Sequence, residues 1–217
     1  MSEPLAIFGG TFDPVHFGHL RLAEESIAHL GLGGVRWLPA GNPPHRGVPQ
    51  VSGEQRLAMV RLATAGNPRF TVDAAEIEAS APSYTVHTLE RLRAELGPGR
   101  PLVLLVGADA FAGLAGWHRW RDILELAHVA VSHRPGFPVE AASLPTALAA
   151  AFLQRRMADA SGLRAVPGGG IVTFAMTQLA ISATQIRKLL ANDLSARYLL
   201  PDTVLDYIRA RSLYRNP

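Results

Sequence analysis

Along the chain, short runs of apolar residues alternate with stretches in which apolar positions recur every three or four residues. The first pattern suits a strand buried on both faces and the second an amphipathic helix. Their alternation predicts a layered α/β domain on a mainly parallel sheet. Strands are expected at Leu5–Phe8, Val35–Leu38, Phe70–Asp73, Leu102–Val106, His128–Ser132 and Ile171–Phe174. Helices are expected near His19–Leu30, Glu54–Ala65, Tyr84–Leu96, Leu144–Ala158, Ala183–Ala191 and Thr203–Arg211. Several boundaries carry chemical markers. Ser52 stands three residues before Gln55, as in a capping box; Ser182 and Thr184 bracket another start; Gly97 sits where a glycine closes a helix; GLGGVR at 31–36 reads as a helix stop and tight turn. Residues 40–51 and 159–170 are rich in proline and glycine and are expected as surface loops, the first carrying His45 and Arg46 and the second only turn residues. With no repeat and no linker, a single domain over 1–217 is expected, with a helical C-terminal part from about residue 180.

Composition removes several classes of chemistry. With 217 residues and 48% apolar, the chain can bury one large core. It contains no cysteine, so disulfides, thiolate metal sites, iron–sulfur clusters and cysteine nucleophiles are excluded together. The longest apolar segment, 102–116, is broken by Asp109, and no basic region precedes the first apolar run; a cytoplasmic protein without a membrane span is expected. The net charge is +3, and Lys188 is the only lysine among the basic residues. Arginine favours bidentate contact with phosphate or carboxylate, but no basic run is interleaved with aromatics, so no nucleic-acid groove is expected.

The stretch GGTFDPVHFGH, 9–19, follows the first predicted strand. In open parallel sheets ligands bind outside the C-terminal ends of strands, where strand order reverses. Gly9 and Gly10 are read as a turn that lets a ligand approach the backbone, and Pro14 as a stiffener. A helix beginning near His19 would aim free N–H groups at an anion. His16 and His19, three apart, would share one side of that turn, where they could ligate a metal, exchange protons or donate hydrogen bonds to phosphate. No H-E-x-x-H and no third nearby histidine supports the metal, so phosphate donation is favoured. GxxxxGK[ST] and GxSxG are both absent, which removes P-loop phosphotransfer and the usual α/β-hydrolase chemistry.

GGTFDPVHFGH resembles the signature of the adenylyltransferase branch of the HxGH nucleotidyltransferases, the HxGH being His16-Phe17-Gly18-His19. ISATQIR, Ile181 to Arg187, is similar to the ISxTxIR element of the same branch. NPPHR at 42–46, APSYT at 81–85, LLVGAD at 104–109, Trp117 and SHRPG at 132–136 are similar to the bacterial nicotinate mononucleotide adenylyltransferases, a likeness that extends from residue 5 to the C-terminal LYR. It departs at His118, a position often aromatic in the family.

The resemblance implies a Rossmann-like, doubly wound α/β fold with helices on both faces and adenylyl transfer from ATP to nicotinate mononucleotide, giving deamido-NAD and pyrophosphate. It implies ATP contacts from Gly9, Gly10, Thr11, His16, His19, His45, Ile181, Ser182, Thr184 and Arg187, with His16, His19 and Arg187 catalytic. Trp117 would stack on the pyridine ring, and N–H groups around Tyr84, Thr85 and His118 would receive its carboxylate. Gly107 and Asp109 are expected at the substrate, though Asp109 could also cap the helix that follows; Arg134 is a candidate phosphate contact. Magnesium would arrive with ATP, and no protein metal site is expected. Two other readings stay open: an adenylyltransferase for nicotinamide mononucleotide or another phosphorylated acceptor, and a non-catalytic nucleotide sensor. A homo-oligomer is also left open.

Overall fold

The computed structural model describes residues 2–43, 47–79 and 81–215. Its strands are β1 (Leu5–Gly10), β2 (Gly34–Pro39), β3 (Phe70–Val72), β4 (Leu102–Gly107), β5 (His128–His133) and β6 (Ile171–Ala175), ordered β3-β2-β1-β4-β5-β6 in one sheet. β4 pairs in parallel with β1 and with β5, and β5 with β6; Leu104 faces Ile7 on one side and Val129 on the other. The apolar run LVLLV of β4 is buried at every position, because a strand inside a parallel sheet is covered on both faces. This is a doubly wound α/β fold, and its strand order reverses between β1 and β4.

The helices are α1 (Phe17–Leu30), α2 (Gly53–Thr64), α3 (Ala75–Glu78), α4 (Thr85–Leu96), α5 (Ala108–Ala112), α6 (Trp120–Leu126), α7 (Thr146–Arg155), α8 (Ala183–Ala191) and α9 (Asp202–Ala210), with 3-10 turns at 114–116, 141–143 and 160–164. The capping box is formed: Gln55 N–H donates to Ser52 Oγ at 3.3 Å and Ser52 N–H to Gln55 Oε1 at 3.0 Å. Gly31 and Gly97 end α1 and α4 at φ 61° and 87°, which a side chain would resist. α3, α5 and α6 were not expected, since four to seven residues are too few to show a helical period. Asp109 does not cap α5; that helix begins at Ala108 and Asp109 lies in its first turn. α7 is shorter than expected because Arg156 turns extended and bridges to Ile171.

The segment 159–170 is not a plain loop. Asp159 accepts a hydrogen bond from Ser161 N–H at 2.8 Å to start the 3-10 turn, Gly170 N–H donates to His128 Nδ1 at 3.1 Å, and Arg93 donates to the Pro167 carbonyl at 2.6 Å.

The chain forms two compact units interleaved along the sequence. One comprises residues 1–8, 24–36 and 84–177, with a core of Ile7, Leu102–Val106, Val129 and Ile171 from the strands and Leu89, Phe111, Ile123 and Phe152 from the helices. The other comprises 9–23, 37–83 and 178–217 and buries Phe12, Val15, Trp37, Met59, Ile186, Val204 and Ile208. The C-terminal helices α8 and α9 thus belong with the loop that carries the first motif.

In this second unit residues 41 and 42 are tied to Ser83, whose Oγ accepts Gly41 N–H at 3.0 Å. A Cβ at Gly41 would lie 1.8 Å from the Glu76 carbonyl oxygen. Gly41→Ala is therefore expected to cost about 1–3 kcal/mol in urea denaturation. Gly66→Ala, which meets nothing within 4 Å, should stay within about 0.5 kcal/mol of the parent.

Candidate nucleotide-binding site

Gly9 and Gly10 extend β1 rather than forming a turn after it. Ala40 N–H donates to the Gly10 carbonyl at 2.9 Å, which keeps the strand paired to its end. The chain turns instead at Phe12, whose φ is 51°. Gly9 has open space above it, and a Cβ at Gly10 would press on the Phe12 ring at 2.9 Å. Thr11, half-buried, offers its carbonyl to Arg56 at 2.8 Å.

α1 starts two residues before the expected position. The His16 carbonyl accepts its first hydrogen bonds, from His19 N–H at 3.0 Å and Leu20 N–H at 3.2 Å. The His16 N–H in turn donates to His19 Nδ1 at 3.2 Å. With Nδ1 accepting, the neutral His19 ring carries its proton on Nε2. The two imidazoles stack with centroids 3.7 Å apart, and the Phe12 ring meets His19 edge-on at 5.1 Å. A Cβ at Gly18 would touch His16 Nδ1 at 3.0 Å, which explains the glycine between the histidines. Burial holds the His16 imidazole down to about 4, and it holds His19 well below its ordinary value, helped by repulsion from His16. Both rings are neutral at neutral pH. His16 Nδ1 is buried and has no hydrogen-bond partner among the described residues.

α8 brings the second motif to the same loop. Ser182 caps the helix by accepting Gln185 N–H at 3.1 Å, so its hydroxyl already serves the backbone. Arg187 Nη1 donates to the Asp13 carbonyl at 2.7 Å and Nη2 to Thr184 Oγ1 at 3.4 Å, while the buried Nε has no partner among the described residues. The Ile181 carbonyl lies 3.8 Å from where a Gly18 side chain would begin. Nearly all the expected ATP contacts therefore lie in one unit. His45 is the exception, lying at 44–46, outside the described residues.

Three residues here escaped the sequence reading. Asp13 accepts Tyr214 O–H on Oδ1 at 2.7 Å and Gln50 N–H on Oδ2 at 2.9 Å. Arg56, 1% exposed, donates to the Thr11, Ala40 and Gly41 carbonyls at 2.8, 2.6 and 3.1 Å. Burial lowers the Arg56 pKa and the nearness of Asp13 opposes this; arginine stays charged. Burial and the bond to Asp13 both push the Tyr214 hydroxyl up, so it remains a donor.

The other unit holds the expected acceptor residues. Tyr84 precedes α4 and Thr85 is its first residue; the Tyr84 ring lies 4.5 Å from His118 and 5.6 Å from His87, which lies 5.5 Å from His118. His87 was not foreseen, although its place three residues after Tyr84 in a helix could have suggested it. The backbone N–H groups of Thr85 and His118 have no acceptor among the described residues. Trp117 is half-buried, its N–H donates to the Leu114 carbonyl at 2.9 Å, and its indole meets no other ring among those residues. Arg119, at φ 50°, pairs with Glu90 at 2.9 Å and Asp122 at 2.7 Å and so fixes the turn after His118. Gly107 ends β4, Asp109 is exposed in α5, and Arg134 is exposed after β5 with no side-chain partner among the described residues. Among the described residues no cluster of three His, Asp or Glu side chains could hold a metal, and no helix is long and apolar enough to cross a membrane.

Residues 7–189 match the cytidylyltransferase-like family. A "probable nicotinate-nucleotide adenylyltransferase" of Dechloromonas aromatica (strain RCB) is 80% identical over 216 residues, covering 100% of both chains. A relative of the same name in Pseudomonas paraeruginosa is 50% identical, also over 100% of both. The nicotinic acid mononucleotide adenylyltransferase of Plasmodium falciparum, solved with NaAD, shares the fold, with a TM-score of 0.72 at 14% identity over 98% of each chain.

His16 makes stability depend on pH. Its folded pKa lies below the ordinary 6.5, so between about pH 6.5 and 4 the unfolded chain binds a proton that the folded chain does not. Stability should be fully present above that window and decline as pH falls through it. Urea denaturation at a series of pH values should show a shallower decline in His16→Asn.

Proposed function

Because the chain belongs to the nicotinate-nucleotide adenylyltransferases of the cytidylyltransferase-like family, we propose that it transfers the adenylyl group of ATP to nicotinate mononucleotide, forming deamido-NAD and releasing pyrophosphate. The observation that carries this reading is the meeting of His16, His19 and Arg187 on one loop. The two imidazoles stack at the start of α1, and Arg187, from a motif far along the sequence, donates to the Asp13 carbonyl three residues before His16.

A phosphate oxygen of the mononucleotide attacks the α-phosphorus in line. The bond from that phosphorus to the oxygen bridging it to the β-phosphate breaks, and pyrophosphate leaves with the electron pair. Such a transfer needs positioning and charge stabilisation, with no covalent intermediate on the protein. His19 donates from Nε2 to a phosphate oxygen, and Arg187 offers the N–H groups that Asp13 and Thr184 leave over. An anion beside either imidazole would raise its pKa, so each can gain charge as the triphosphate binds. The glycines of β1 and the N-termini of α1 and α8 add main-chain contacts. Magnesium would arrive with ATP and offset phosphate charge, and it would need few protein ligands.

For the acceptor, Trp117 has an indole face available for the pyridine ring, and the Thr85 and His118 N–H groups suit its carboxylate. Arg134 would meet the mononucleotide phosphate, with Gly107 and Asp109 near its ribose. Two N–H donors at that ring position favour an acid over an amide.

Pyrophosphate release measured with ATP, magnesium and each mononucleotide should be faster with the nicotinate form. A strong preference for the amide would sink the acceptor assignment, and background rates with both would favour a nucleotide sensor. His19→Ala should lower kcat by roughly 10²- to 10³-fold while changing ATP affinity far less. Unchanged turnover would mean that the ring is structural.

A further inference from the structure

Asp13, Arg56 and Tyr214 of one unit are buried, 6%, 1% and 7% exposed, and the reaction as described uses none of these side chains. They surround the loop on which Arg187 is held. Arg56 fixes that loop through the carbonyl of Thr11 and fixes its neighbour through those of Ala40 and Gly41. Tyr214 reaches it from the C-terminal tail. After α9 the chain turns back through Ser212 and Tyr214, at φ 50° and 63°, a backbone region L residues rarely adopt, and the buried Tyr214 hydroxyl donates to Asp13 Oδ1 at 2.7 Å.

The two ends of Asp13 do different things. Its carbonyl accepts Arg187 Nη1 at 2.7 Å, and its carboxylate is occupied by Tyr214 and by Gln50 N–H. A guanidinium prefers a carboxylate to a carbonyl, because both partners are charged and two parallel bonds can form. Arg187 and Arg56 both lie close enough to Tyr214 to act electrostatically on its hydroxyl. A bare Asp13 carboxylate would therefore find a cation within reach.

We propose that Tyr214 is a positioning residue for adenylyl transfer: by occupying the Asp13 carboxylate it keeps Arg187 on the Asp13 carbonyl, with its remaining N–H groups available to the triphosphate. The inference rests on the role proposed above for Arg187. Without the hydroxyl, Arg187 turns to the carboxylate and its charge is neutralised there.

Tyr214→Phe keeps the buried ring and deletes only the donor. It should lower kcat by roughly tenfold to a hundredfold, the cost of a displaced catalytic group, while KM for nicotinate mononucleotide stays within about twofold of the parent. Added to Arg187→Ala, the same change should have no further effect, since nothing remains to be positioned. Asp13→Asn/Tyr214→Phe removes the charge that captures Arg187 and should regain at least about fivefold in kcat over Tyr214→Phe. Where the single variant does not fold, the double variant should turn over within about tenfold of the parent. An equal loss from Tyr214→Phe with and without Arg187 would overturn the link, as would unchanged kcat in Tyr214→Phe or a double variant no better than Arg187→Ala. Wild-type turnover in Arg187→Ala would instead remove the role of Arg187 itself.

Discussion

The 2.7 Å hydrogen bond from Arg187 to the carbonyl of Asp13 joins positions 174 residues apart. For that carbonyl to face α8, the chain leaving β1 must turn at Phe12, and Phe12 can hold its unusual φ because its ring is buried against Trp37 and His19. Arg56 ties the loop through the Thr11 carbonyl and ties the neighbouring loop through those of Ala40 and Gly41. Strand end, loop, α2, α8 and the C-terminal tail thereby form one support for a short stretch of main chain.

Charge is distributed with restraint. Two imidazoles stacked at 3.7 Å cannot both be protonated without strong repulsion, and burial keeps them neutral. The buried cation Arg56 is met by carbonyl dipoles, with Asp13 near enough to favour its charge. Arg187 likewise meets uncharged partners, the Asp13 carbonyl and the Thr184 hydroxyl.

Much of this was legible in the residues. β4 and β5 announce themselves as unbroken apolar runs because both faces are covered, and the starts of α2 and α8 are written in Ser52 and Ser182. The stacked histidines follow from their spacing. Gly9 and Gly10 misled because glycine can also end a strand, and the turn fell on Phe12, whose conformation is held by tertiary packing. Arg56 could not be recognised because its partners are main-chain carbonyls from distant loops, which leave no side-chain pattern. The same holds for Arg93, which orders the segment 159–170 through a carbonyl 74 positions away. Tyr214 lies 201 positions from its partner and looks like any aromatic near a chain end.

The bond from His16 N–H to His19 Nδ1 limits the proton chemistry open to this ring. A ring whose Nδ1 accepts from a main-chain amide does not present that nitrogen as a donor to a carboxylate. It cannot serve as a relay of the kind that hydrolases build from a histidine backed by an acid. The same turn fixes the tautomer of His19, with its proton on Nε2.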